Sequence, residues 1–295
     1  MWERRPDGLR SPALVCAFKG WNDAGDAASA ALRFVGASLE ATRFAEIDPE
    51  EFFDFQATRP KVKMVDGGVR EIEWPSVELY EARVPRAPRD LVLLEGPEPS
   101  MRWRTFCAQV IDLAEALGVE MVVTLGALLA DVPHSRPVQI TGLSADDGMV
   151  RRLGLQRSSY EGPTGIVGVL QNACVTVGIP SISFWAGVPH YVSQPPNPKA
   201  TVALLHSVEE VLDLAVPLGE LPDQAVEWQK LVDEMASEDE EVTEYIRNLE
   251  ERDSEGELRE TSGEVIAGEF ERYLRRRDRG GGIGGMSSGP DTPRR

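Results

Sequence analysis

At 295 residues, 42% of them hydrophobic, the chain is long enough for one good-sized core with a remainder, and its formal net charge is -18. That charge argues against nucleic acid and anionic membrane as partners, because both need a positive surface. No run of about 18 apolar residues predicts a membrane span, and Met1-Trp-Glu-Arg-Arg5 has no apolar segment behind its charges, so a cytoplasmic protein is expected.

In chain order, Ala13 to Phe18 is a continuous apolar run fit for a buried strand, and Ala24 to Leu39 is an Ala-rich helix. Between them lies Lys19-Gly-Trp-Asn-Asp-Ala-Gly25. Gly20 and Gly25 have the spacing of a phosphate loop, but Asp26-Ala27 stands where Lys-Ser/Thr must follow, and Asp23 adds negative charge where phosphates would lie. A nucleotide loop is therefore rejected. Trp21, Asn22 and Asp23 either serve recognition, or Asn22 or Asp23 caps the helix while Trp21 packs down.

Thr42 to Ile47 and Val77 to Val84 read as strands. Asp66-Gly67-Gly68, between Val62 to Val65 and Val69 to Trp74, predicts a hairpin. Leu91 to Leu94 is a strand whose carboxyl end opens into Glu95-Gly-Pro-Glu-Pro99, and a helix follows from Trp103 to Leu117. Met121 to Gly126 is a further strand, and Arg136 to Ser144 reads as another, followed by a short helix from Asp146-Asp147 toward Leu153.

The stretch from Tyr160 to Tyr191 carries the most punctuation. Thr164 is placed to cap a helix that is apolar all round (Ile166, Val169, Leu170, Ala173, Val177), Gly178 suits a left-handed C-terminus, Pro180 ends the helix, and Ser181 to Trp185 is extended. Val-Pro-His occurs at Val132-Pro133-His134 and again at Val188-Pro189-His190, with two of the three histidines. In a parallel sheet, loops beyond the carboxyl ends of neighbouring strands share one edge, so Trp21, Asn22, Asp131, His134, His190 and Tyr191 are expected on one rim. There the imidazoles either hold a polar or anionic ligand beside Asp131 or lock the loops together.

Gln194 to Pro198 is a stiff connector and Ala200 to Val216 a helix. From Pro217 the composition turns acidic, yet Val226, Leu231, Met235, Val242, Tyr245, Ile246 and Leu249 recur near helical spacing, which predicts amphipathic helix. A second helix is expected from Gly263 to Arg277, paired with the first as a hairpin. Gly280 to Gly285 satisfies G-x-G-x-x-G without a strand before it or a helix after it, and reads as flexible tail. The three cysteines (Cys16, Cys107, Cys174) form no C-x-x-C and read as core side chains. H-E-x-x-H is absent, and no cofactor or metal is expected.

Gly20-Trp-Asn-Asp-Ala-Gly25 after the first strand, Gly126 before Asp131-Val-Pro-His134, and Gly162-Pro-Thr-Gly165 before Gly178-Ile-Pro180 together resemble the proteasome assembly chaperone two family, in its actinobacterial form, from about Ala13 to Val216. The resemblance implies a three-layer α/β/α, phosphorylase-like fold with a mostly parallel sheet, self-association, and chaperoning of proteasome subunits rather than catalysis. A trimer is the oligomer expected. Archaeal relatives dock through a hydrophobic-Tyr-X ending, a pattern that residues 291–295 here, Asp-Thr-Pro-Arg-Arg, do not match. The domain division expected is 1–216 (α/β/α), 217–278 (acidic helical extension) and 279–295 (Gly-rich tail). The competing reading is an enzyme on the phosphorylase-like scaffold, acting by phosphorolysis or ATP-grasp-like ligation through His134 and His190; no visible phosphate loop supports ligation.

Overall fold

The computed structural model describes residues 3–65, 68–158 and 161–254. The expected helix from Gly263, the Gly-rich tail, Tyr160, and Asp66-Gly67 of the hairpin turn lie outside them.

A seven-stranded sheet forms the centre, in the order β2-β5-β6-β1-β7-β9-β8. These strands are β1 (Ala13–Lys19), β2 (Thr42–Ile47), β5 (Val77–Ala82), β6 (Leu91–Pro97), β7 (Met121–Ala130), β8 (Ile140–Ser144) and β9 (Ser181–Pro189). β6, β1, β7 and β9 are mutually parallel, while β5 and β8 run antiparallel to their inner neighbours. A separate two-stranded ribbon, β3 (Lys61–Val65) with β4 (Val69–Glu73), pairs Val65 with Val69. The architecture is therefore α/β with a mostly parallel sheet, as expected.

The central strands read as unbroken apolar runs because both their faces are covered. Val15, Ala17, Leu93, Val123 and Phe184 face one core, shared with α1 (Ala27–Ser38) and α5 (Pro198–Leu212). Their alternates Leu14, Cys16, Phe18, Val92 and Val122 face the other, shared with α2 (Trp103–Leu117) and α4 (Ile166–Val177). There Phe106 meets Phe18 edge-on at 6.0 Å and Phe52 at 5.4 Å between ring centres. Each such ring contributes about 2–3 kcal/mol through burial. Cys16, Cys107 and Cys174 are buried in this layer, and burial pushes the thiols of Cys107 and Cys174 up to about 12 and about 11. They are inert packing groups at neutral pH.

Gly118 and Gly178 end α2 and α4 in the left-handed conformation, at φ 69° and 79°, where a Cβ would be strained. Gly126 of β7 sits beside Trp185 of β9, and a Cβ there would fall 2.6 Å from the indole Cε3. The missing side chain is what lets the ring lie across the neighbouring strand.

After α5 the chain forms α6 (Leu221–Ser237) and α7 (Glu240–Ser254), which pack as a hairpin. This hairpin lies within residues 221–254, and the pairing expected with Gly263 to Arg277 lies outside the described residues. It buries Val232, Ala236, Ile246 and Leu249, while Val226, Leu231, Met235 and Tyr245, expected on the packed stripe, stay exposed. The short α3 (Asp147–Leu153) begins at Asp146, whose carboxylate accepts the Met149 N–H at 2.7 Å. None of the described helices is long and apolar enough to cross a membrane.

Candidate functional site at the carboxyl edge of the sheet

β1 ends at Lys19, and Gly20 at φ 118° turns the chain into a loop over the sheet edge. The loop is sewn to β7: Ala127 N–H donates to the Asn22 carbonyl at 2.8 Å, and Asp23 bridges Ala127. Asp23 Oδ1 accepts the N–H groups of Ala28 at 2.8 Å and Ser29 at 3.1 Å, so this carboxylate caps α1 from across a single 3-10 turn. Burial pushes its pKa up, Asp26 adds to the rise, and the Ser29 hydroxyl with the two N–H groups opposes it.

Asn22 is fully buried, and its amide donates to Glu98 Oε1 at 3.1 Å. The same oxygen accepts Ile166 N–H at 2.9 Å, so Glu98, in the loop after β6, caps α4. Thr164 does not take that role: Gly165 is the N-cap and no side chain of its own segment bonds the first turn. Thr164 Oγ1 instead lies over Gly168, where a Cβ would come within 2.1 Å of it. Gly165 is needed because a Cβ would meet Asn22 Oδ1 at 2.9 Å and Glu98 Oε1 at 3.1 Å. Trp21 packs against Trp185 with ring centres 6.2 Å apart.

The other expected rim residues gather separately. His134 is 4% exposed; its backbone N–H donates to Tyr191 Oη at 2.7 Å, its Nδ1 lies 2.9 Å from the same oxygen, and its Nε2 lies 2.8 Å from Asp233 of α6. His190 Nε2 lies 3.4 Å from Asp131, which also accepts from Tyr245 of α7 at 3.1 Å. Burial pushes Tyr191 up to about 12, so it stays a neutral hydroxyl. Around this group Ser135 donates to Glu250, Gln139 donates to Asp253, and Lys199 donates to the carbonyls of His134 and Arg136. The two Val-Pro-His tripeptides thus do converge, but under the α6–α7 hairpin. The first lies beyond the end of β7, whereas Val188-Pro189 still belongs to β9.

Two hollows lie on the Trp21 side of the edge, and a much smaller one of about 10 Å³ is lined by His134, Pro189 and Lys199. One of about 80 Å³ is lined by Trp21, Asn22, Trp185 and the first turn of α4. A larger one of about 410 Å³ lies between the Gly20–Asp26 loop and the end of β7. Among the described residues, no group of three or more His, Cys, Asp or Glu side chains is placed to hold a metal ion. Sequence reasoning missed Glu98; its signal was an acid in the loop at the carboxyl end of a strand, beside a helix start.

The chain is similar in structure and sequence to a PAC2 family protein from Streptomyces avermitilis, with 54% identity, a TM-score of 0.75, and coverage of 79% of this chain and 99% of that one. A proteasome-assembly chaperone homologue from Mycobacterium tuberculosis is 52% identical, with a TM-score of 0.74 and the same coverages. An archaeal proteasome activator from Pyrococcus furiosus shares the fold at 18% identity, with a TM-score of 0.62 over 80% of this chain and 97% of that one. No match was found among curated proteins. A sequence model of the PAC2 family matches residues 17–236, which take in the end of β1 and all the other strands, the Trp21 loop, both Val-Pro-His tripeptides and nearly all of α6. The chain belongs to the PAC2 family.

Proposed function

We propose that the chain is a protein-binding assembly chaperone, that its clients are proteasome subunits in the cytoplasm, and that it works as a homo-oligomer, a trimer being favoured. The observation that carries this reading is the β3–β4 ribbon. Its pairing places Lys61 and Lys63 with Glu71 and Glu73 on one face, where Lys63 and Glu73 form an ion pair at 2.5 Å. The other face presents Val62, Met64, Ile72 and Trp74, with Arg70 across from Met64, and Met64 is 66% and Ile72 53% exposed. An apolar face of this kind, held out on a ribbon exposed along its whole length, is kept for a protein partner, since its exposure has a solubility cost and adds nothing to the core. The similarity to a protein described as a proteasome-assembly chaperone homologue supports the choice of client.

Self-association is supported by Val226, Leu231 and Met235, which α6 leaves exposed after the chain has packed its own core. Catalysis through His134 and His190 has less support, because these imidazoles lie against Tyr191, Asp233 and Asp131 of the same chain. Light scattering on the chain alone tests the oligomer: particles at three times the 32.4 kDa chain mass are expected, and a 32.4 kDa particle at micromolar concentration contradicts it. Co-elution with proteasome subunits, lost in Met64→Lys/Ile72→Lys, tests the client surface.

A further inference from the structure

The hollow of about 410 Å³ beside Asp23 stands at a special point of the topology. β1 and β7 are adjacent parallel strands, but the chain leaves β1 through α1 on one face and enters β7 from β6 through α2 on the other. Where connections part to opposite faces, the strand ends leave a crevice, and in open α/β sheets that crevice is where ligands sit. Here Trp21, Asp23, Asp26, Leu128, Leu129 and Ser193 line it.

The chemistry of this lining is one-sided. Two acidic residues, Asp23 and Asp26, line the crevice, and no Lys, Arg or His among the described residues lines it. Asp23 is 4% exposed; Oδ1 is occupied by the α1 cap, while Oδ2 has no hydrogen-bond partner. A buried carboxylate oxygen without a donor is expensive, and folding alone does not call for it, because the cap uses only Oδ1. Leu128 and Leu129 supply apolar wall, and the Trp21 ring supplies a face that attracts cations.

We propose that this crevice binds an aliphatic ammonium or guanidinium group, whose charged head pairs with Asp23 and whose methylene stem lies along Leu128 and Leu129. The volume suits a small amine or one basic side chain, and the carboxylates exclude phosphates and carboxylic acids by repulsion. The cation also offsets the desolvation of Asp23, so binding strengthens as pH rises and the carboxyl loses its proton.

Isothermal titration of the full chain with agmatine and putrescine is the test, with 1-pentanol as the neutral analogue and N-acetylarginine methylamide as the mimic of a partner's side chain. Both amines are expected to bind with Kd of about 1 mM or tighter, and pentanol not. Asp23→Asn keeps the capping oxygen and is expected to weaken amine binding by about tenfold or more. Ser193→Trp, which fills the crevice without touching the carboxylate, is expected to abolish it and decides the matter if Asp23→Asn does not fold. Tighter binding of the free amines assigns the site to a small metabolite; tighter binding of the arginine mimic assigns it to a docked protein. Absence of amine binding, pentanol binding as well as the amines, or either variant binding like wild type overturns the proposal.

Discussion

His134 Nε2 lies 2.8 Å from Asp233 Oδ1, which ties the loop after β7 to the middle of α6, 99 residues further along the chain. The ring's other nitrogen is taken by Tyr191, so a single buried imidazole joins the sheet edge to the acidic hairpin. Loss of that imidazole, and of other buried groups in the fold, has consequences that can be measured.

His134→Ala should cost about 1–3 kcal/mol, the range for stranding buried hydrogen-bond partners. The effect should be local: hydrogen exchange in residues 221–254 should accelerate while β1 and β6 keep their protection. Unchanged exchange across α6 would show that the apolar contacts of Val232 and Leu249 hold the hairpin unaided.

Asp90 gives the fold an acid-sensitive clasp. Its side chain is 1% exposed; burial alone would raise its pKa, but the Arg10 guanidinium and the N–H groups of Val84 and Arg10 together outweigh this and lower it from 3.8 to about 2. Because the folded value lies below the unfolded one, the stabilisation is present above pH 3.8 and is lost as pH falls toward 2. It amounts to about 2 kcal/mol, with Arg10 half exposed and therefore partly screened. Urea titrations should show this acid limb in the wild type and a flatter one in Asp90→Asn.

Glu98→Ala should uncap α4 and free the Asn22 amide at once, for a loss of about 2 kcal/mol. Glu98→Gln keeps an acceptor and should lose about half as much. Equal losses in the two variants would mean that the charge, not the hydrogen bonds, is what α4 responds to.

Gly126→Ala should destabilise by about 1–3 kcal/mol through overpacking against Trp185, with a shift in tryptophan fluorescence. Gly126→Ala/Trp185→Leu should recover part of the loss, and full additivity would place the strain elsewhere.

The layered sheet was legible because its signals are local. Trp103–Leu117 is the helix its apolar spacing predicts, and Gly178 takes the left-handed conformation that its place before Pro180 suggests. The α4 cap was not legible: Asn22 and Glu98 follow two separate strand ends and Ile166 starts a helix, and no spacing along the chain encodes their meeting. The acidic helices misled in a different way. Apolar residues on α6 form two adjoining stripes, Leu231 with Met235 and Val232 with Ala236, and periodicity alone does not say which one turns inward. Nor was it legible that α6 and α7 close over the histidines, since Asp233 and Tyr245 reach His134 and Asp131 from 99 or more residues further along the chain.

The central claim, that the ribbon presents an apolar face to proteasome subunits during assembly, is tested most directly by assembly kinetics. Unassembled α and β proteasome subunits from the chain's own organism would be mixed with increasing amounts of the chain, and the appearance of assembled particles followed by native gel. The account predicts that the wild type changes the assembly rate in a dose-dependent way and that Met64→Lys/Ile72→Lys, whose exposed positions should leave stability within about 0.5 kcal/mol, removes the effect. An assembly rate indifferent to the chain, or one altered equally by the ribbon variant, contradicts it.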